Sequence, residues 1–422
     1  MKKMAGLFLL GVAALGLAGC GPKGNGSSGE ANTDGKKKAK YDLLVWEDQA
    51  KAAGIADAVA QFEKDNNVKV KVTEKAYAGQ IEDMRLDGPA GTGADVFTIP
   101  GDQVGTAVTE GLIAKLDVDK ATQDIYTPAA IESQIVDGKV YGLPKAVETQ
   151  ILYYNKALVT ESELPKTVGD WLTYSKAHTT KDSYGLLALW DQIYYAQGVL
   201  SPYGGYISGK DKSGNYDPKD IGLDNAGAIE GENIIKQFYD AKVFPSGIVG
   251  EQGINVLDSL FTEGKAAAVI SGPWNVDPYK AAGIDYGVAE LPLLDNGKHM
   301  GSFIGVKSYN VSGYSKNKAL AEKFVKFITN EANSKVRYEK TQEVPAVKAL
   351  AEDEAVKKNA VTVAIATQSQ YGELTPGITE MNSVWKPVDA ALQTVATGKS
   401  EPKVALKEAV AQIKSAIAAN AK

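Results

Sequence analysis

From residue 41 onward the chain repeats one alternation: a short apolar run, then a stretch with apolar residues at helical spacing. Residues 41–46 (YDLLVW) read as a buried strand, and Ile55, Val59 and Phe62 follow at the spacing of one helix face. Asp65-Asn66-Asn67 ends that helix, and residues 68–72 (VKVKV) alternate like a second strand. Residues 80–86 suit a helix, Gly88 to Gly93 a loop, and residues 95–99 a third strand. Asp102 then stands as a helix N-cap, with Val104, Ala107 and Val108 behind it. This βαβαβ order predicts an α/β fold with a mainly parallel sheet covered by helices. The pattern returns at the strand 266–270 (AAAVI), the amphipathic helix 320–328 and the Ala-rich helix 403–419. No repeat of 20 to 50 residues interrupts it.

A length of 422 residues allows two or three domains, and 44% hydrophobic with 23% charged residues is a globular balance. Acidic residues outnumber basic ones 52 to 46, for a net charge of −6. That balance argues against a nucleic-acid partner, which calls for a basic surplus. With Cys20 as the one cysteine and His178 and His299 as the two histidines, no internal disulfide is possible. A Cys/His zinc site lacks ligands for the same reason, and no metal or cofactor is expected. Ser/His and Cys/His catalysis lack support, and both histidines read as surface residues. A carboxylate pair could still hydrolyse a glycoside, because sequence does not measure the separation.

The N-terminus reads as an address. Lys2 and Lys3 precede an apolar run from Ala5 to Leu17, which is too short to cross a bilayer and ends in Leu17-Ala18-Gly19-Cys20. Residues 1–19 are therefore taken as a signal peptide. Residues 20–40, rich in Gly, Ser, Asn and Lys, are taken as a flexible tether with too little apolar surface to fold.

Several motifs fail on inspection. Gly398-Lys399-Ser400 has Gln393 where a phosphate loop needs glycine, so it reads as a helix-ending turn. The segment 211–217 has Tyr216 where a calcium loop needs glycine and Gly222 where it needs glutamate, so a hairpin turn at Gly214-Asn215 is expected. The aromatic content says more: 20 tyrosines and 5 tryptophans against 9 phenylalanines. Tyrosine and tryptophan pair an apolar face with a polar edge, which suits the C–H face and the hydroxyls of a sugar. Trp190, Tyr194, Tyr195, Trp274 and Trp385 are the candidates, with core packing as the alternative for each. Trp46 and Trp171 read as structural.

The segments QFEKDNNVKV, GADVFTIPGDQVG, DGKVYGLPKAVETQILYYNKALV, FTEGKAAAVISGPWN and GELTPGITEMNSVW carry a resemblance. With L-A-G-C, they resemble the maltose/maltodextrin-binding lipoproteins, the extracellular solute-binding proteins of ABC sugar importers in Gram-positive bacteria. The resemblance implies a two-lobed periplasmic-binding-protein-like fold with discontinuous lobes and a cleft between them. Lobe one would comprise residues 41–146 and 301–354, and lobe two residues 150–297 and 358–422. It also implies lipidation of Cys20, a place on the extracellular face of the cell membrane, maltose or maltodextrin as ligand, and ABC permease subunits as partners of a monomer. No enzymatic activity is implied. Asp102 and Glu148 would receive sugar hydroxyls, and Glu47, Asp48 and Lys51 would line the cleft after the first strand. Tyr194, Trp274 and Trp385 would stack on sugar rings. Gln103 stands where the resembled proteins carry arginine, Ile99 and Val276 where they carry aromatics, and Trp190 is taken to compensate.

Overall fold

The computed structural model describes residues 41–212 and 216–420. The signal segment, Cys20, the tether and the Gly214-Asn215 turn lie outside the described residues.

The opening alternation folds as β1 (Leu43–Asp48), α1 (Ala56–Asn66), β2 (Val70–Lys75), α2 (Gln80–Ala90) and β3 (Val96–Pro100). β1 is buried along its whole length and lies parallel to both β2 and β3, with Leu43 opposite Val70 and Val45 opposite Val96. A parallel strand covered on both faces has no polar side to show, hence the continuous apolar run. Leu43 and Val45 enter one core with Phe62, while Leu44 and Trp46 enter another with Met84 and Phe97. α1 stops where Asn67 turns left-handed at φ 51°, as the Asp-Asn-Asn run predicts.

Two local expectations fail. α2 continues through Gly88 and Pro89 to Ala90 instead of giving way to a loop. Gly88 faces the Tyr314 ring, where a Cβ would sit 2.5 Å from a ring carbon, so the helix is held by packing that local sequence does not show. Asp102 is not a helix N-cap. It lies inside a 3-10 turn, Gly101–Gln103, with no side-chain cap bond on the helix that follows.

Further strands are β4 (Leu143–Glu148), β5 (Ile151–Asn155), β6 (Tyr184–Leu187), β7 (Ala266–Ser271), β8 (Tyr286–Ala289), β9 (Phe303–Val311) and β10 (Glu373–Leu374), and two short antiparallel pairs stand apart, Ile135–Val136 with Lys139–Val140 and Gly209–Lys210 with Tyr216–Asp217. The helices used below are α3 (Ile193–Leu200), α4 (Ala226–Asp240), α5 (Lys318–Ile328), α6 (Trp385–Ala396) and α7 (Pro402–Asn420). The first sheet runs β10-β9-β3-β1-β2 with β4 also paired to β9, and the second runs β8-β5-β7-β6. Both sheets are mixed rather than mainly parallel. β9 is antiparallel to β3 and β4, and β5 is antiparallel to β7 and β8. The strands next to the crossings between sheets are entered directly, without the crossover helix that a parallel neighbour requires.

The fold is α/β, two-lobed and periplasmic-binding-protein-like, with discontinuous lobes and a cleft between them. Buried polar side chains stitch the crossing segments together. The Thr149 hydroxyl bonds Ser302 Oγ at 2.7 Å and the Phe303 carbonyl at 2.8 Å. Gln368 donates to the Met300 carbonyl at 3.0 Å and accepts from the Leu291 N–H at 2.9 Å. One departure from the expected division is β10. It lies in the stretch assigned to lobe two, yet it pairs with β9 of the first sheet, Glu373 opposite Phe303.

The core around the second sheet holds an acidic cluster. Asp191 is wholly buried between β6 and α3, where its Oδ2 accepts from the Gly250 N–H at 2.7 Å. Glu232 on α4 is buried beside it, and Tyr239 and Asp389 complete the surrounding titratable groups. Burial pushes Asp191 up to about 6, with Asp389 adding to the shift. A raised carboxyl pKa means the folded state binds the proton more tightly than the unfolded state. The stability it contributes is therefore full in acid and is lost as pH rises from about 4 to about 6. About two pKa units correspond to about 3 kcal/mol. Urea unfolding at pH 3.5 and pH 7 should show Asp191→Asn gaining about that much on wild type over the interval; parallel profiles would contradict it.

Candidate functional site

The floor of the cleft is an ion network. Lys145 on β4 is fully buried with its Nζ 2.5 Å from Glu47 Oε1, 2.9 Å from Asp48 Oδ2 and 3.3 Å from Glu343 Oε1. Tyr309 donates to Glu47 Oε2 at 2.5 Å, and the Thr98 hydroxyl donates to Asp48 Oδ1. Burial opposes charge on Lys145, yet the surrounding carboxylates hold its pKa well above the usual value. Burial likewise opposes charge on Glu343, but Lys145, Lys307, Arg337 and Lys51 outweigh it and pull its pKa down.

One layer above, Lys307 on β9 pairs with Glu148 at the end of β4 at 2.7 Å and sits 4.7 Å from the centre of the Tyr77 ring. A cavity of about 260 Å³ opens here, lined by Lys51, Glu148, Lys307 and Glu343 together with Trp274 and Asn359. A second cavity of about 400 Å³ is lined by Asp102, Glu132, Tyr216, Gly305 and Thr375. Gly305 is the register partner of Glu148 on β9, so the two cavities flank one strand pair. Asp102 is half-buried, and burial raises its pKa against the bonds from its own backbone and Gln103.

Trp274, Tyr194, Phe303 and Trp385 form a chain, with centroid separations of 6.5 Å, 6.0 Å and 6.4 Å in turn. Gly272 lets Trp274 fold back over the backbone. A Cβ at that glycine would sit 2.2 Å from the indole, which is the local reason for the Gly-Pro-Trp order. Burial raises the Tyr194 phenol pKa, and Tyr195, Glu148 and Asp102 each add to it. Tyr194 therefore lies within electrostatic reach of both carboxylates.

Lys51, Glu148 and Trp274 line the first cavity and Asp102 the second, with Gln103 bonded to Asp102, and Tyr194 and Trp385 join Trp274 through the ring chain; all seven are half-buried. The structure corrects three other assignments. Trp190 has no exposed surface and packs edge-on against Phe238 at 4.9 Å, so it does not compensate for missing cleft aromatics. Glu47 is wholly buried with both oxygens engaged, and Asp48 is nearly so. Both face Lys145 beneath the cleft instead of lining it, and their burial is tolerated because Lys145 and the hydrogen-bond partners offset the cost of desolvating the charges. Two residues that the sequence reading did not single out lie beside these groups. Tyr77 follows β2, where burial raises its phenol pKa and Glu148, Asp48 and Asp102 add to the shift. Phe303 begins β9 and bridges the rings of Tyr194 and Trp385. Neither sits in a distinctive motif; a lone aromatic at the edge of a strand was the one available signal.

The family of bacterial extracellular solute-binding proteins matches residues 57–363. The galactooligosaccharide-binding protein of Bacillus subtilis (strain 168) is 58% identical over 419 residues, 99% of this chain and 98% of that one. The maltodextrin-binding protein MdxE of the same organism is 36% identical over 398 residues, 93% of each chain. Among solved structures, a cyclo/maltodextrin-binding protein complexed with maltotetraose superposes with a TM-score of 0.82 at 36% identity, covering 90% of this chain and 99% of that one. The maltose-binding protein MalE of Listeria monocytogenes, in complex with maltose, does so with a TM-score of 0.82 at 35% identity, covering 89% and 97%. With a match across most of its length and a cleft built between two discontinuous lobes, the chain belongs to the bacterial extracellular solute-binding proteins.

Proposed function

We propose that this protein captures an oligosaccharide in its interlobe cleft outside the cell and delivers it to an ABC importer, without chemical conversion. Galacto-oligosaccharides are the first ligand class. The observation that carries this is the 58% identity, over nearly all of both chains, to a protein named for binding them. Maltodextrins are the second class, favoured by the 0.82 superposition on a chain holding maltotetraose. Calorimetry with galacto-oligosaccharides and maltotriose tests the order. Tight binding of the first and weak binding of the second is expected; the reverse would return the ligand to maltodextrins, and binding of neither would end the sugar reading. Unchanged recovery of the sugar after long incubation distinguishes capture from hydrolysis.

In this reading Asp102, Gln103, Glu148 and Lys51 hydrogen-bond hydroxyls, with Tyr77 beside them, and Tyr194, Trp274 and Trp385 stack on ring faces. The lobes divide at residues 146–150, 297–301 and 354–358, apart from β10. The protein is a monomer held at the outer face of the membrane by a lipid on Cys20. Two acyl chains bury enough methylene groups for stable anchoring. Cys20→Ala should leave the membrane fraction, and its retention at wild-type level would refute the anchor.

Each stacked indole that removes some tens of Å² of sugar from water contributes about 1 to 2 kcal/mol, or roughly 5- to 30-fold in affinity. A core tryptophan would instead cost about 3 to 5 kcal/mol of folding stability on truncation. Trp274→Ala and Trp385→Ala should therefore bind sugar more weakly while melting near wild type. Variants that melt far lower yet bind normally would assign both rings to the core.

A further inference from the structure

Trp385 and Tyr194 come from segments nearly two hundred residues apart, yet a hydrogen bond ties their helices together. Asp389 lies one turn after Trp385 on the same face of α6. Its Oδ1 accepts from the Ile193 N–H at 2.8 Å. Ile193 is the first residue of α3 and the neighbour of Tyr194. The residue before that helix, Gln192, offers no side-chain cap, so one of the unpaired N–H groups of the helix's first turn is satisfied from α6 instead. A carboxylate there also faces the positive end of the helix. The turn before α3 is held on its other side by Asp191 through Gly250. The Phe303 ring fills the space between the two platforms.

We propose that Asp389 is a positioning residue that locks Tyr194 and Trp385 at one separation, so that the cleft presents two ring-stacking surfaces already spaced for neighbouring sugar units. The proposal rests on the reading that both rings touch sugar. It names what sets their spacing, and therefore which linkage geometry can bridge them. A ligand whose successive rings match that spacing gains both stacking contacts without reorganising the protein.

The test uses the mature protein and the galacto-oligosaccharide of the panel above, or maltotriose if that is the sugar bound. Asp389→Ala should weaken binding by roughly tenfold or more, the scale of one hydrogen bond to a charged group. Asp389→Asn keeps an acceptor oxygen and should recover most of the affinity. The loss from Asp389→Ala should shrink in a Trp385→Ala background and persist in an Asp102→Ala background, because residues acting through one unit are not additive. Equal losses in both backgrounds, wild-type affinity in Asp389→Ala, or an asparagine variant as weak as the alanine one would each overturn the proposal. If Asp389→Ala does not fold, Asp389→Glu carries the test. It keeps the charge but displaces the carboxylate by one methylene, and wild-type affinity there would overturn the proposal as well. If the wild-type protein binds no sugar of the panel, the binding reading fails and this proposal falls with it, an outcome distinct from failure of the Asp389 variants alone.

Discussion

A Lys145→Ala protein is expected to lose about 3 to 5 kcal/mol of folding stability, the cost of leaving buried charge without its partner. Typical domains have about 5 to 15 kcal/mol in total, so the variant should lie close to unfolding. The cause is local and specific. Lys145 is the shared cation for Glu47, Asp48 and Glu343, whose side chains are at most 6% exposed. Removing it leaves three carboxylates crowded in a low-dielectric site. Lys145→Met separates this cause from loss of packing. Methionine restores most of the volume but none of the charge, so it should be nearly as damaging as alanine. Acidification should partly rescue both variants, because protonating the orphaned carboxylates removes the repulsion. A Lys145→Met protein that melts near wild type at pH 7 would show that charge compensation is not what this lysine supplies.

The second large effect concerns affinity. Asp102→Ala and Glu148→Ala should each weaken sugar binding by roughly ten- to a hundredfold, from the 1.5 to 3 kcal/mol of a hydrogen bond to a charged group. The fold should survive both. Asp102 is half-buried at the rim of a cavity, where it is hydrogen-bonded by its own backbone and Gln103. Glu148 leaves Lys307 behind when removed, but Glu343 at 3.7 Å and Asp48 at 3.9 Å remain to compensate that cation. Calorimetry gives the affinity and thermal unfolding the stability. Unaltered affinity in both variants, at normal melting temperature, would remove these carboxylates from the site.

The two predictions separate residues that the sequence treats alike. Glu47 and Asp48 end β1 much as Asp102 follows β3, and all three read as acids at the mouth of a strand. The side chain that sends the first pair inward is Lys145, nearly a hundred positions away. Trp190 and Trp274 likewise both stand beside turn residues, but Phe238 closes over one and a glycine lets the other lie back along the cleft.

The sequence by itself determined most of the elements: the strand at the start, the first helix with its Asn67 stop, the strand before Gly-Pro-Trp, and the amphipathic helix that buries Phe324 and Ile328. Those features follow from periodicity and from residues a few positions apart, which is the range over which backbone preference acts. Through motif resemblance it also offered Asp102, Glu148, Tyr194, Trp274 and Trp385 as candidates, whose roles the binding measurements above decide. The tertiary structure alone decided the antiparallel setting of β9, the continuation of α2 past Pro89, the burial of Glu47 and Trp190, and the contacts of Tyr77 with Lys307 and of Phe303 with Tyr194. Each depends on partners far away in the chain, such as Tyr314 for α2, Lys145 for Glu47 and Lys307 for Tyr77. Burial and ion pairing are properties of the assembled neighbourhood, and a side chain carries no local mark of which distant group will meet it.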